Sequence, residues 1–250
     1  MAVAQTLLMI FVVVVHLLLK YEAFPTVSPF RCSRTSPRLN ECVKEGLENV
    51  LKYFKSGSML LGVPPLDPME VPFLQIKHDE HNLTLDINMK HVVITGFTDI
   101  EIAKVTTILD DINKLEVTGK TPFLHITGEY NSEGLIVNFP LHSAGAFSVN
   151  MTDVTSSWVV YLREISRDGV KHLEIDGFDI DMMPITISFR PAEQLDGDNH
   201  LGEAMNVILN ENSNEIYSII KKKLASVFSG VLTDFANQAL SQIPERAYLE

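Results

Sequence analysis

Residues Asn212 to Ile243 read NSNEIYSIIKKKLASVFSGVLTDFANQALSQI, a stretch with no proline and a single glycine, Gly230. Its apolar residues step by four through Ile216, Ile220, Leu224 and Phe228, by three to Val231, then by four again through Phe235, Ala239 and Ile243. That is the period of a helix. At about 100° per residue, each step of four overshoots a turn by ~40° and the step of three falls back by ~60°, so the stripe winds about halfway round the cylinder. A helix that is apolar on successive sides must be buried on all of them, and a sheet curled around it does that. The stretch therefore predicts a terminal rod about 45 Å long wrapped by a strongly curved sheet.

The middle of the chain supplies the wrap. Leu83, Leu85, Ile87 and Met89 alternate with Asn82, Thr84, Asp86, Asn88 and Lys90, and the same period of two recurs at Leu135, Val137 and Phe139, at Phe147, Val149 and Met151, and at Ile185, Ile187 and Phe189. Turn signals separate these runs at Asp79 to Asn82, Gly128, Glu133-Gly134, Arg167-Asp168-Gly169 and Asp176-Gly177. Strands with one oily and one wet face, joined by tight turns and without interleaved helices, describe an antiparallel meander. The fold class is α+β.

Ahead of the strands, Leu39 to Phe54 has the spacing of a short helix, with Asn40 as its candidate N-cap. Leu60 to Met69 holds Pro64, Pro65 and Pro68, which rule out both helix and central strand and leave an extended connector held by its own stiffness. Behind the strands, Leu201, Met205, Ile208 and Leu209 predict a first helical segment. Asn212 with Glu215 three residues later has the form of a capping box, so a break is expected there before the long helix.

The N-terminus carries an address. Leu7 to Leu19 is an apolar run of 13 residues interrupted by His16, too short to span a bilayer at about 20 residues per crossing and suited to a secretory signal core. Cleavage after Ala23 leaves residues 24–250 as one mature domain, with an uncleaved signal anchor as the alternative. Secretion gives the two cysteines, Cys32 and Cys42, a reading as a disulfide staple; two free buried thiols are the alternative. It also gives meaning to the sequons Asn82-Leu83-Thr84 and Asn150-Met151-Thr152, each asparagine lying on the polar side of its strand.

Composition narrows the function. Acidic residues outnumber basic ones 32 to 20, for a formal net charge of −12, and the longest basic run is Lys221 to Lys223. Both speak against a nucleic-acid partner. No Gly-x-Ser-x-Gly elbow is present. His78-Asp79-Glu80-His81 matches no zincin spacing, and Asp176, Asp179 and Asp181 lack the glycine and terminal glutamate of a calcium loop, so no metal site is expected.

Cys32 and Cys42, Gly62-Val63-Pro64-Pro65-Leu66-Asp67-Pro68, Gly128-x-Tyr130-x-x-x-Gly134 and the run from Asp196-Gly197 through Leu201-Gly202 and Met205-Asn206 to Leu209-Asn210-Glu211-Asn212 occur in this order. In them the chain resembles the takeout family of insect secreted proteins, which includes the haemolymph juvenile hormone binding proteins, over about Phe30 to Leu249. The resemblance implies a long C-terminal helix inside a curved antiparallel sheet, with an apolar tunnel that holds a small lipid-like ligand and no cofactor or catalytic motif. On that reading Tyr130 offers a hydroxyl to the ligand's polar end, and Phe139, Met151, Phe228 and Phe235 line the tunnel. The expected function is a secreted carrier of a small hydrophobic ligand, terpenoid or fatty-acid-like, without stable membrane insertion. A secreted interaction protein with a filled core and, more weakly, a lipid ester hydrolase are the alternatives.

Overall fold

A computed structural model describes residues 31–80, 83–109, 113–136, 139–191, 206–207 and 209–249. The leader, Asn82, His81, Leu201, Met205 and Ile208 lie outside the described residues. Cys32 and Cys42 are bonded to each other, their Cα atoms 5.9 Å apart, and tie the entering chain to helix α1, Leu39–Phe54. Asn40 is not the cap. Arg38 occupies that position without a side-chain bond, while Asn40 Oδ1 accepts a hydrogen bond from Thr107 N at 2.8 Å and so fastens α1 to the sheet. The proline connector is also held by more than stiffness. The Asp67 carboxylate accepts hydrogen bonds from Gly96 N and from Thr98 Oγ1, with Lys55 at 3.7 Å.

Seven strands follow: β1 Met69–Glu80, β2 Leu83–Thr95, β3 Glu101–Leu109, β4 Asn113–Ile136, β5 Phe139–Arg167, β6 Val170–Met183 and β7 Thr186–Pro191. They form one antiparallel sheet. Its spine is the pair β4 and β5, of 24 and 29 residues, in register from Ile136↔Phe139 to Asn113↔Leu162. β2 joins the upper part of β4 and β3 the lower; β7 joins the upper part of β5 and β6 the lower. The sheet thus has two halves, β1-β2-β4-β5-β7 above and β3-β4-β5-β6 below. The spine changes face between them, since Thr121 and Val154 are buried while Phe123 is exposed.

Three expected turns are not turns. Gly128, Glu133-Gly134 and Asp176-Gly177 lie inside strands β4 and β6. These glycines permit close approach instead. A Cβ on Gly128 would come within 2.9 Å of the Phe147 ring, one on Gly134 would overlap the Thr84 carbonyl oxygen, and one on Gly177 would press on the Tyr161 ring. Strands that run on in this way supply the length a curl needs. The turn at Asp168-Gly169 is present, with φ of 51° and 77°.

The long helix, α2, spans Ser213–Leu240, 28 residues or about 42 Å. Residues 206, 207 and 209–211 ahead of it are helical and the helix breaks at Asn212, whose side chain makes no capping bond. The helix is not enclosed on every side. From Asn214 through Ser218 and Lys222 to Gln238 every fourth residue is exposed. The sheet is curled, not closed, and α2 lies in the opening, packed against β1 along one edge and β6 and β7 along the other. Asn237 accepts from Ile175 N at 2.7 Å and donates to Ile175 O at 3.0 Å on β6. Asn210 does the same to both backbone groups of Phe189 on β7, each at 2.8 Å. The chain end closes beside the start, where Cys32 N donates to Tyr248 O at 2.9 Å and Arg34 bonds Glu164 and the buried Glu245.

Asn237→Ala strands both Ile175 backbone groups. Chemical denaturation is expected to show a loss of about 2 to 3 kcal/mol, against under about 0.5 kcal/mol for Lys222→Ala on the exposed strip.

Candidate functional site

Between the first half of α2 and the upper half of the sheet lies a cavity of about 230 Å³. The winding stripe supplies the helix wall through Ile216, Ile220, Leu224, Phe228 and Val231, joined by Val227. Strand β2, the cleanest alternating run in the sequence, presents Leu85, Ile87 and Met89 from the opposite side, because residues two apart share a face. β1 adds Met69, Val71, Leu74 and Ile76. Voids larger than a water are few in ordinary protein interiors, so this volume is a feature of the fold and not a packing defect.

Apart from Tyr130, Ser132, Ser143, Ser148, Arg190 and Tyr217, every lining residue is apolar. Ser148 and Arg190 are cross-strand partners, and Arg190 is exposed. Tyr217 donates to Met182 O at 2.8 Å; burial, then the charge of Asp181, pushes its pKa up to about 12, so the hydroxyl stays protonated. The remaining three form one polar spot. Tyr130 Oη and Ser143 Oγ are 2.7 Å apart, and the buried Ser132 donates from Oγ to Ser143 O at 3.2 Å. Adjacent strands create it, since Ser132 pairs with Ser143 and Tyr130 with Gly145 across β4 and β5. The Tyr130 ring is fixed edge-on to Phe147, centroids 6.2 Å apart.

Of the residues singled out from the sequence, Tyr130, Met151 and Phe228 stand on the cavity wall. Phe235 does not. Seven residues beyond Phe228 it faces nearly the same way but about 10 Å further down the helix, where it packs half-buried on solid core. In the lower half of the sheet Trp158 is buried, stacked on Phe97 at 5.9 Å and edge-on to Phe178 at 6.1 Å. Phe139 opens β5, and its side chain lies outside what the structure describes. Ser132, Ser143 and Tyr217 were missed. The first two share the inward parity of Tyr130 and Phe147 on their strands, the one signal that marks them in advance.

None of the cavity serines Ser132, Ser143 and Ser148 is hydrogen-bonded to an imidazole or carboxylate among the described residues. Among the same residues no cluster of His, Cys, Asp or Glu is placed to hold a metal ion, and no helix is long and apolar enough to cross a membrane.

A curled antiparallel sheet with a long helix in its opening and an apolar cavity between them defines a class of fold. The crystal structure of Epiphyas postvittana Takeout 1 shares it, with a TM-score of 0.75 at 17% identity, covering 88% of this chain and 99% of that one. The sequence profile described as haemolymph juvenile hormone binding protein matches residues 7–250. The chain belongs to that family. A crystal structure of lipopolysaccharide binding protein aligns over 80% of this chain and 39% of that one at 13% identity, with a TM-score of 0.38, too low to bear on the fold. Among curated proteins none matches the sequence.

Below pH 10 tyrosine is protonated in both folded and unfolded states, and between about 10 and 12 the unfolded chain alone gives up the Tyr217 proton. The unfolding midpoint is therefore expected to fall across that window. Tyr217→Phe should flatten the fall, measured by thermal melts from pH 9 to 12.

Proposed function

We propose that this protein is a secreted carrier that holds one small hydrophobic ligand, a terpenoid or a fatty-acid-like molecule, in the cavity between α2 and the upper half of the sheet. The observation that carries the reading is the wall itself: twenty of its 26 residues are apolar, and the hydroxyls of Tyr130, Ser132 and Ser143 gather in one polar spot. A ligand that fills the cavity removes apolar surface from water at about 25 cal/mol per Å² and restores the missing contacts.

The hydroxyl group sets the ligand's orientation. Tyr130 and Ser143 satisfy each other in the absence of a guest, and either can turn to an ester, epoxide, carbonyl or hydroxyl oxygen at the end of an apolar body. Binding then requires no covalent step. Met69, Met89 and Met151 on the wall give it side chains that adapt to shape. Family membership supports this reading, and Takeout 1 supports the fold on which it stands. The wall that α2 supplies runs from Ile216 to Val231, a length that suits an extended chain.

Titration with an apolar fluorescent probe tests it. The protein should bind about one probe per chain, and long-chain esters should displace it. Ile220→Trp, which fills the cavity from the helix side, should weaken probe binding at least tenfold while leaving the circular dichroism unchanged. Tyr130→Phe should weaken oxygen-bearing ligands by about three- to tenfold, the worth of one hydrogen bond of about 1 kcal/mol, and spare a plain hydrocarbon. Absence of probe uptake by well-folded protein would instead favour an interaction protein with no ligand.

A further inference from the structure

On the outer face of the sheet, away from the cavity, an aromatic side chain of the central strand is left in water without an obvious use. Phe123 in the central strand β4 is 47% exposed. It stacks on His125, two residues along the same strand, with centroids 6.3 Å apart and the rings within 10° of parallel. Across the ladder on β5, Thr152 stands opposite Phe123 and Asn150 opposite His125. Val149 and Met151 point into the cavity wall, so alternation turns Asn150 and Thr152 outward onto the aromatic pair. Asn150-Met151-Thr152 is an acceptor sequence for N-linked sugar.

The local hydrogen bonds leave the acceptor atom available. Asn150 Oδ1 lies 2.6 Å from His125 Nδ1, which engages the amide oxygen when that nitrogen carries the proton. Among the described residues Asn150 Nδ2 donates to nothing. Diagonal neighbours on a sheet are about 7 to 8 Å apart, with their β-carbons somewhat closer, within reach of the first sugar on an asparagine.

We propose that Asn150 carries an N-linked glycan and that its first N-acetylglucosamine lies on the exposed ring of Phe123. Transfer takes place before the sheet forms. The amide nitrogen attacks C1 of a lipid-diphosphate-linked oligosaccharide, the N–C1 bond forms as the C1–O bond to the diphosphate breaks, Nδ2 loses one proton, and the lipid diphosphate leaves. Once the sheet closes, the apolar C–H face of the sugar covers the Phe123 ring and takes both out of water. An exposed aromatic in a central strand thus becomes a seat for the molecule's own carbohydrate. The inference rests on the reading of the chain as secreted.

The full-length chain expressed in insect cells with its own leader tests both steps. Peptide mass spectrometry of the secreted protein should find hexosamine on the peptide containing Asn150, lost in Asn150→Gln. Phe123→Ser should then lower the melting temperature of the glycosylated protein by about 2 to 4 °C more than it does in the Asn150→Gln background. That excess should survive enzymatic trimming of the glycan to its first sugar. Secreted protein with a bare Asn150 overturns the proposal. So does an equal effect of Phe123→Ser in both backgrounds, which removes the seat. Failure of the chain to leave the cell overturns the secretion reading instead, and the medium fraction tells the two apart.

Discussion

Two asparagine side chains decide where the terminal helix can sit. An edge strand exposes unpaired N–H and C=O groups, and at Phe189 and Ile175 those groups are taken up by Asn210 and Asn237. Each amide pairs with both backbone groups of one residue, as a neighbouring strand would. Tyr217 adds a third tie, to the carbonyl of Met182. Because these anchors lie on the β6 and β7 side, the helix is held by its flank in the opening of the curl. Between them Ile216, Ile220, Leu224 and Val227 turn inward onto the cavity, while Phe228 and Leu232 are buried in the core. A helix held only by its apolar stripe would collapse onto the sheet and fill the void.

The long β4 and β5 pair divides the interior into two unlike halves. Below, Phe97, Trp158 and Phe178 stack into solid core, and the disulfide, α1 and the tie between Cys32 and Tyr248 close the base. Above, the inward side chains are chiefly aliphatics and methionines, with Tyr130, Phe147, Phe189, Tyr217 and Phe228 set into the wall. The hydroxyl spot of Tyr130, Ser132 and Ser143 lies in that upper half, where the oxygen of the proposed ligand would meet it.

Much of this was legible in residues taken one element at a time. The stepping of Ile216 to Ile243 announced both the helix and the need for a curved partner, and α1 was bounded at Leu39 and Phe54 as found. The alternation of Leu85, Ile87 and Met89 identified a cavity wall as a strand face without saying that the space beyond it was empty. What misled were glycines. Gly128 and Gly134 have the composition of turns, yet their role depends on a ring and a carbonyl supplied by strands distant in sequence. Asn40 failed as a cap for the same reason, its true partner being Thr107. Phe235 and Phe228 are nearly equivalent on a helical wheel, and only their different heights along the helix put Phe228 alone on the wall. Ser132 and Ser143 became visible once the register brought them opposite each other.

Whether the space between helix and sheet is made for a guest is settled most directly by what the protein carries when it leaves a cell. Native mass spectrometry of the secreted chain, followed by solvent extraction and identification of small molecules, measures this without choosing a ligand beforehand. The account predicts one apolar molecule per chain, bearing an oxygen at one end and released when the protein unfolds. Protein that flies only at its bare mass, yields no lipid on extraction and takes none up from a mixture of terpenoids and fatty acids would contradict it.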